Sequence, residues 1–450
     1  MKTVFAKYLL INGRKINCKV LAADESFASR PYLLCIPGGP GFGLASTEAF
    51  TNQLEKQAKA LQIPLPNVIL FDPLGCDSSD TANDIDEEYS MYNFTEIAAN
   101  VVENVKEELC PNQPMDLRVY GGSFGSLTAM DIPLHRPQWV INDATIHLKQ
   151  IISLVGPNGA GEKEYSRQYL EDNFKHHPNY HHIKLALNKL LDGKIQDKDD
   201  YIQSIVINLA PLYSEENEKL LNSYLGKLLR NYHRQLIPIM KGINYLIKKI
   251  GLSSDKLDYM IMGLDGCSLE VLNQFFKTDM NGFNLTDNIS KNLSLYNQIP
   301  ISLISCINDH MVNYKTAEGI NQLLPNSSAA IILNDKHMAT KGPSKDTVEK
   351  IILGMLTSKI PEQALASPQI NHHTVTANFQ QQIELLNNSN KENALANSTK
   401  MLFSTLGLPK QNVVVSDPNV TRVINNSSSL VSAKNDPEED IHVEFKMNLN

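Results

Sequence analysis

The feature that most restricts what this chain can fold into is the stretch Val119-Tyr120-Gly121-Gly122-Ser123-Phe124-Gly125-Ser126-Leu127. The apolar run Leu117 to Tyr120 reads as a strand and Leu127-Thr128-Ala129-Met130 as the start of a helix, with Gly-x-Ser-x-Gly between them. Where a strand turns this sharply into a helix there is no room for a Cβ, which is the physical reason for glycine at 121 and 125. Ser123 is then held out at the helix start. There a neighbouring base can take its proton, and the amide of Phe124 can face a developing oxyanion. Chance puts Gly-x-Ser-x-Gly into roughly one unrelated chain in ten of this length. The rest of the chain therefore decides the reading.

Taken in order, Thr3 to Ala23 alternates apolar and polar residues around Asn12-Gly13, the pattern of an opening antiparallel hairpin. Pro31 to Ile36 is a buried strand leading into the rigid loop Pro37-Gly38-Gly39-Pro40-Gly41 and a helix from about Thr47 to Leu61. Asn67 to Asp72 is the next strand, followed by a helix Thr95 to Leu109, the Ser123 strand and helix, and a further strand expected over Trp139 to Ala144. Pro133 falls near the end of the helix after Ser123, where a kink is expected. Strands alternating with helices in this way imply a mostly parallel sheet with function at the carboxyl ends of its strands.

From about Lys149 to Asn297 the pattern becomes amphipathic helix without a strand, with helices over Glu164 to Phe174, Ile183 to Leu191, Glu215 to Asn231 and Leu236 to Ile250. The alternating pattern then resumes: strands Pro300 to Cys306 and Ala329 to Leu333, helices Tyr314 to Leu324 and Lys345 to Leu356. Beyond about Ser358 the chain is rich in Asn, Gln, Ser and Lys, carries an acidic cluster at 436–440, and mostly cannot bury enough apolar surface to stay folded, short helices over Phe379 to Leu386 or Thr399 to Leu406 aside. The expected organisation is a core over 1–148 and 298–358, a helical cap over 149–297 and a largely unstructured tail over 359–450.

A nucleophilic serine needs a base and a group to orient that base, both downstream of Ser123 if the turn is a nucleophile elbow. Asp309 follows the strand that ends at Cys306, and His337 follows the strand that ends at Leu333. The order Ser123, Asp309, His337 is that of the α/β-hydrolases. Asp335 is the rival acid and His310 the rival base, but His310 adjoins Asp309, and adjacent loop residues rarely face each other.

Several motifs resemble those of the proline iminopeptidases, serine aminopeptidases of the α/β-hydrolase fold. Pro37-Gly38-Gly39-Pro40-Gly41 is similar to that family's His-Gly-Gly-Pro-Gly loop, Phe71 to Ser79 to its Asp-Gln-x-Gly-Cys-Gly-x-Ser segment, and Gly121 to Gly125 to its Gly-Gly-Ser-Trp-Gly elbow. Phe283 to Asp287 and the Asp309 and His337 segments also fit, so that the resemblance spans about Tyr32 to Leu356. It departs at Pro37 in place of His, at Phe124 in place of Trp or Tyr, and at Pro73 and Asp77 in place of Gln and Gly. The resemblance implies release of an amino-terminal proline, oxyanion donors at the amides of Gly39 and Phe124, and an amine-binding carboxylate on the cap. Glu270 stands near that last position, after a short insertion, and is otherwise a charged helix residue.

Composition excludes other classes. A net charge of -8 with no basic stripe argues against a nucleic-acid partner. No window is apolar enough for a membrane span, and the amino-terminal run is broken by Lys7 without a cleavage site for a secretory signal. The expected location is the cytoplasm, with signal-peptide-independent export as the alternative suggested by the acidic end. The six cysteines are irregularly spaced and read as reduced core thiols, so neither a disulfide framework nor a metal is expected, nor any cofactor. Leu154 to Lys163 imitates a phosphate-binding loop, but Glu162 stands where the lysine must be, and a carboxylate there repels phosphate. The expected substrate is thus a small peptide or a small-molecule ester or amide. The alternatives are an esterase or lactonase on the same fold and a non-catalytic protein that uses the Pro37 loop and tail for interaction.

Overall fold

The computed structural model describes residues 1–370 apart from 26–28, 142–144, 214–217, 220–222, 224–230, 233–234, 237, 244, 247–266, 280–281 and 358–366. Met1–Asn388 is one compact unit, and the second, Ser389–Asn450, lies outside the described residues. So do the suggested helices at 379–386 and 399–406, most of that expected over 215–231, and residues 237, 244 and 247–250 of that expected over 236–250, whose other residues are helical.

Eight strands form one sheet: β1 (Lys2–Ile11), β2 (Arg14–Ala22), β3 (Tyr32–Ile36), β4 (Asn67–Phe71), β5 (Met115–Gly122), β6 (Ile146–Leu154), β7 (Ile301–Cys306) and β8 (Ser328–Leu333). Their order is β1-β2-β4-β3-β5-β6-β7-β8. The two pairs that involve β2 are antiparallel and the pairs from β4 to β8 are parallel. Asn12 and Gly13 both have positive φ, 51° and 76°, as the tight turn of the β1–β2 hairpin requires.

Strands β3, β4, β7 and β8 are buried at every position, which is why they read as unbroken apolar runs. Alternate side chains serve opposite faces. Leu33, Cys35, Val68, Leu70 and Ile331 pack with Phe50 and Leu54 of α1 (Leu44–Leu61) and Val348 and Ile352 of the last described helix, Lys345–Thr357. Leu34, Ile69, Leu117, Val119 and Ile332 pack with Phe94 and Val101 of α2 (Met91–Leu109) and Leu127 and Ile132 of α3 (Phe124–His135). Each such side chain contributes roughly 1.5–3 kcal/mol by leaving water.

Between β6 and β7 lies a helical insertion that includes α4 (Glu162–Phe174), α5 (Tyr180–Leu191), α6 (Leu269–Gln274) and α7 (Leu285–Lys291). Its two ends are stapled together. Gly159 bridges Asn284, Ala160 N–H donates to the Phe283 carbonyl at 2.8 Å, and Thr286 N–H donates to Asn158 Oδ1 at 2.9 Å. After β7 the core continues through α8 (Lys315–Leu323), β8 and α9 (Lys345–Thr357).

One expectation is corrected. Of the strand expected over Trp139 to Ala144, residues 142–144 lie outside the described residues and the rest is not a strand: Pro137 starts a single 3-10 turn at Pro137–Trp139, Ile141 is 55% exposed, and the strand is Ile146–Leu154. Its first half carries His147, Lys149 and Gln150, which hid its strand character, and it runs past the expected core boundary at 148. Ile370 is buried and bridges Leu333, and Asn334 N–H donates to the Gln369 carbonyl at 2.7 Å, so 367–370 cover part of the open edge of β8. All six cysteines are free and buried.

Candidate active site

The elbow is built from steric necessity. A Cβ on Gly121 would stand 2.1 Å from the Gly125 carbonyl oxygen, and one on Gly125 would stand 2.5 Å from that of Ile36 and 2.6 Å from that of Pro37. Any other residue at either position would push helix off strand. Ser123, at the apex, adopts φ 52° and ψ -122°, a conformation that L-residues rarely hold without support. Support comes from β6, the strand that the sequence hid: Ser123 N–H donates to the Leu154 carbonyl at 2.8 Å.

The hydroxyl of Ser123 lies 3.1 Å from His337 Nε2, and His337 Nδ1 lies 2.7 Å from Asp309 Oδ2. A carboxylate can only accept, so Nδ1 carries the imidazole proton and Nε2 presents its lone pair to the serine. Asp309 is fully buried, and its other oxygen accepts the N–H groups of Met311 at 2.8 Å and Val312 at 3.0 Å. The acid is thereby fixed in orientation. Burial works against a proton on His337, but the charge of Asp309 and the hydrogen bond to it, with a smaller contribution from Glu162, raise its pKa above the ordinary histidine value.

The rivals have other work. Asp335 accepts Lys336 N–H at 2.7 Å and Ser344 N–H at 2.8 Å, so it shapes the loop that carries His337. His310 is fully buried, edge-on to Tyr213 with centroids 4.9 Å apart and 6.1 Å from the ring of His337. Burial, then the neighbouring His337 and Lys336, push its pKa well below the usual value.

Gly39 lies in the loop between β3 and α1, and that loop touches the elbow: a Cβ on Gly38 would be 2.9 Å from the Gly122 carbonyl oxygen and 3.7 Å from Ser123 Cβ. Phe124 is the first residue of α3, so its N–H has no carbonyl one turn back within the helix to bind. Behind the loop, Asp72 accepts from Asn17 Nδ2 at 2.7 Å and from the N–H groups of Leu44 at 2.5 Å and Ser78 at 3.3 Å. The buried carboxylate ties the start of α1 to the β4 turn. On the insertion side, Phe42 bridges Cys267 and Ser268 N–H donates to the Gly41 carbonyl at 2.8 Å.

An eight-stranded, mostly parallel sheet, a Gly-x-Ser-x-Gly elbow at the end of β5, and an acid after β7 and a histidine after β8 define one architecture. The fold is that of the α/β-hydrolases. No protein-family profile matches the chain, and no curated protein matches it. Among solved structures, the chain is similar to the esterase EaEST from Exiguobacterium antarcticum, with 11% identity over 78% of this chain and 99% of that one and a TM-score of 0.45. It is also similar to VinJ, with 13% identity over 79% and 99% and a TM-score of 0.49. A proline iminopeptidase from Mycobacterium smegmatis shows 13% identity over 80% and 99% with a TM-score of 0.47.

Glu270 is exposed on the first turn of α6 and takes a hydrogen bond from Tyr89 Oη at 3.2 Å. The hydrogen bonds around Ser123 do not include it. Around the elbow the insertion presents aromatic surface: Phe275 meets the Phe124 ring edge-on at 4.8 Å, and Tyr213 lies 6.4 Å from the His337 ring. Sequence reasoning missed Glu162 as a neighbour of the site, although it is buried and acts electrostatically on Asp309 and His337. Its position on the first turn of an insertion helix gave no signal. Among the described residues no group of three or more His, Cys, Asp and Glu side chains is placed to hold a metal, and no helix is long and apolar enough to cross a membrane.

Proposed function

We propose that the chain is a serine hydrolase in which Ser123 is the nucleophile, His337 the general base and acid, and Asp309 the group that orients His337. The supporting observation is the continuous line of hydrogen bonds from Ser123 through His337 to Asp309, at 3.1 and 2.7 Å. As Ser123 Oγ bonds to the acyl carbon, its proton passes to His337 Nε2. The carbonyl oxygen becomes an oxyanion facing the N–H groups of Gly39 and Phe124. Collapse breaks the bond to the leaving group, which takes the proton from His337. Water then repeats the sequence on the acyl-enzyme: one proton goes to His337, the oxygen to the acyl carbon, and as the bond to Ser123 Oγ breaks His337 returns the proton to Ser123.

For the substrate, the resemblance of the glycine loop, the β4 turn and the elbow to those of the proline iminopeptidases supports a peptide with an amino-terminal proline, with Glu270 holding the free amine. A second reading, a carboxylesterase or lactonase, is favoured by a specific observation. Glu270 is engaged by Tyr89, while among the described residues of the insertion the neutral rings of Phe275 and Tyr213 lie against Phe124 and near His337. Such rings suit an uncharged acyl group as well as a proline.

Two measurements decide between these readings and the idea of a non-catalytic interaction protein. A fluorophosphonate probe should label the wild type and spare Ser123→Ala; equal labelling of both rejects the mechanism. Purified protein offered proline arylamide and a short-chain aryl ester should turn over one in strong preference. Glu270→Ala should damage the amidase reaction alone if that carboxylate holds the amine, and loss of neither reaction removes Glu270 from the site.

A further inference from the structure

Three side chains on one face of the first insertion helix converge on the loop that carries Asp309. Glu162, Tyr165 and Tyr169 stand at i, i+3 and i+7 of α4, one side of the helix. Tyr165 Oη donates to the Asp309 carbonyl at 2.7 Å, and Tyr169 Oη to the Asn308 carbonyl at 3.0 Å. Glu162 accepts the Asn313 N–H at 3.0 Å and the Thr316 hydroxyl at 3.3 Å, while the Asn158 N–H at 2.9 Å ties it back to the root of the insertion. Asp309 therefore sits in a segment held at 308, 309, 313 and 316 by one helix.

Glu162 is an expensive residue to use merely as filler. It is 2% exposed, and none of its hydrogen-bond partners is a cation. A buried carboxylate without a cation costs several kcal/mol, and an apolar side chain of the same size fills the space at less cost. We propose that this face of α4 is a positioning element: Tyr165 and Tyr169 fix the path of the Asp309 loop, and the Glu162 carboxylate adds its charge to that of Asp309 in holding His337 cationic during turnover. The inference rests on the serine-hydrolase reading above.

The groups that face Glu162 are consistent with that role. Burial pushes its pKa up to about 7, the N–H groups of Asn158 and Asn313 pull it down, the charge of Asp309 raises it and the Thr316 hydroxyl lowers it. His337 on the next loop and Tyr165 on its own helix also feel its charge. Its contribution to His337 is therefore greatest in alkaline solution and fades as the pH falls. Lys336 Nζ, which donates to the Pro211 carbonyl at 2.8 Å, ties the loop of His337 to the same insertion.

The test is the pH dependence of the rate of fluorophosphonate labelling of the full chain, with Ser123→Ala as the control for the underlying reading. Glu162→Gln removes the charge and keeps the shape. In that variant the acid limb of the profile should move to lower pH by roughly half a unit, because His337 loses a stabilising anion. A limb that stays in place overturns the electrostatic role, since a purely structural residue changes the rate without moving the midpoint. The double variant Tyr165→Phe, Tyr169→Phe, in which both side chains are only half-buried, should label several-fold more slowly with an unmoved midpoint; a wild-type rate overturns the positioning role. Should Glu162→Gln not fold, the double variant decides alone. A wild type labelled no faster than Ser123→Ala sinks the hydrolase reading itself, and with it this inference, and is distinct from either of those results.

Discussion

Asp309→Asn probes the site where its geometry leaves fewest choices. The two oxygens of this buried carboxylate are divided between partners: Oδ1 takes two backbone N–H groups at 2.8 and 3.0 Å, and Oδ2 takes His337 Nδ1 at 2.7 Å. An amide has one oxygen to offer. If the oxygen stays with the two backbone donors, the NH2 faces His337, which must accept at Nδ1 and carry its proton on Nε2. If it turns to His337, the NH2 is set against two buried donors, each left unpaired at a cost of about 1–3 kcal/mol. The first arrangement wins by about 2–6 kcal/mol. It aims a proton, in place of a lone pair, at Ser123. The expected loss is on the order of 10⁴ in turnover, the scale known for the same change in another serine-hydrolase triad, or about 5.4 kcal/mol of transition-state stabilisation. Folding should change by less than about 2 kcal/mol, since the number of buried hydrogen bonds is preserved. Rates on an activated ester at pH 8, with thermal melts on the same samples, measure both. Folded Asp309→Asn within tenfold of wild type refutes the argument. Asp335→Asn is the contrast: it should lower the melting temperature through the Lys336 and Ser344 contacts and leave the tautomer of His337 alone.

Other outcomes follow from the same geometry. Because the pKa of His337 is raised above the ordinary 6.5, kcat/KM should fall on acidification with a midpoint above that value; a midpoint at or below it contradicts the coupling to Asp309. Glu162 is raised from 4.5 to about 7, so the stability it contributes is fully present below pH 4.5 and lost as pH rises through 7. That is about 3 kcal/mol, at ~1.4 kcal/mol for each tenfold difference in proton affinity between the folded and unfolded chain. Urea unfolding at pH 5 and 8 should show this slope in wild type and not in Glu162→Gln. Gly121→Ala and Gly125→Ala set a Cβ 2.1 and 2.5 Å from backbone oxygens and should cost more than ~3 kcal/mol or prevent folding. Gly319→Ala meets nothing within 4 Å in α8 and should stabilise by ~0.5–1 kcal/mol; equal effects in all three would show that the elbow is not sterically tight.

The elbow, the buried strands and the order of Ser123, Asp309 and His337 could be read from sequence because each is imposed by a local rule. Glycine is forced where backbones cross, an unbroken apolar run means a strand buried on both faces, and the catalytic groups must lie at carboxyl ends. What could not be read is what depends on neighbours far along the chain. The strand Ile146–Leu154 carries His147 and Lys149 at positions that are only partly covered and Gln150 at a buried one, and its importance to Ser123 lies in one carbonyl, that of Leu154, which no side-chain pattern reports. The same is true of Ile370. One apolar residue in a polar segment gives no periodicity, and its partner on β8 is visible only in three dimensions.

The run from Gly156 to Glu162 shows how packing can imitate a binding motif. A Cβ on Gly159 would stand 2.3 Å from the Phe283 carbonyl oxygen, the Asn158 carbonyl accepts the Leu285 N–H at 3.0 Å, and Asn158 Oδ1 accepts the Thr286 N–H. Glycine is needed here so that the two ends of the insertion can cross at close range, the same steric reason that places glycine beneath a phosphate. The residue after the glycines separates the two uses. A lysine there would reach outward for an anion, whereas Glu162 turns inward, satisfies the N–H groups of Asn158 and Asn313, and sets a second carboxylate behind Asp309. A position that excluded one chemistry in the sequence is thus, in the fold, the point where the insertion reaches the candidate active site.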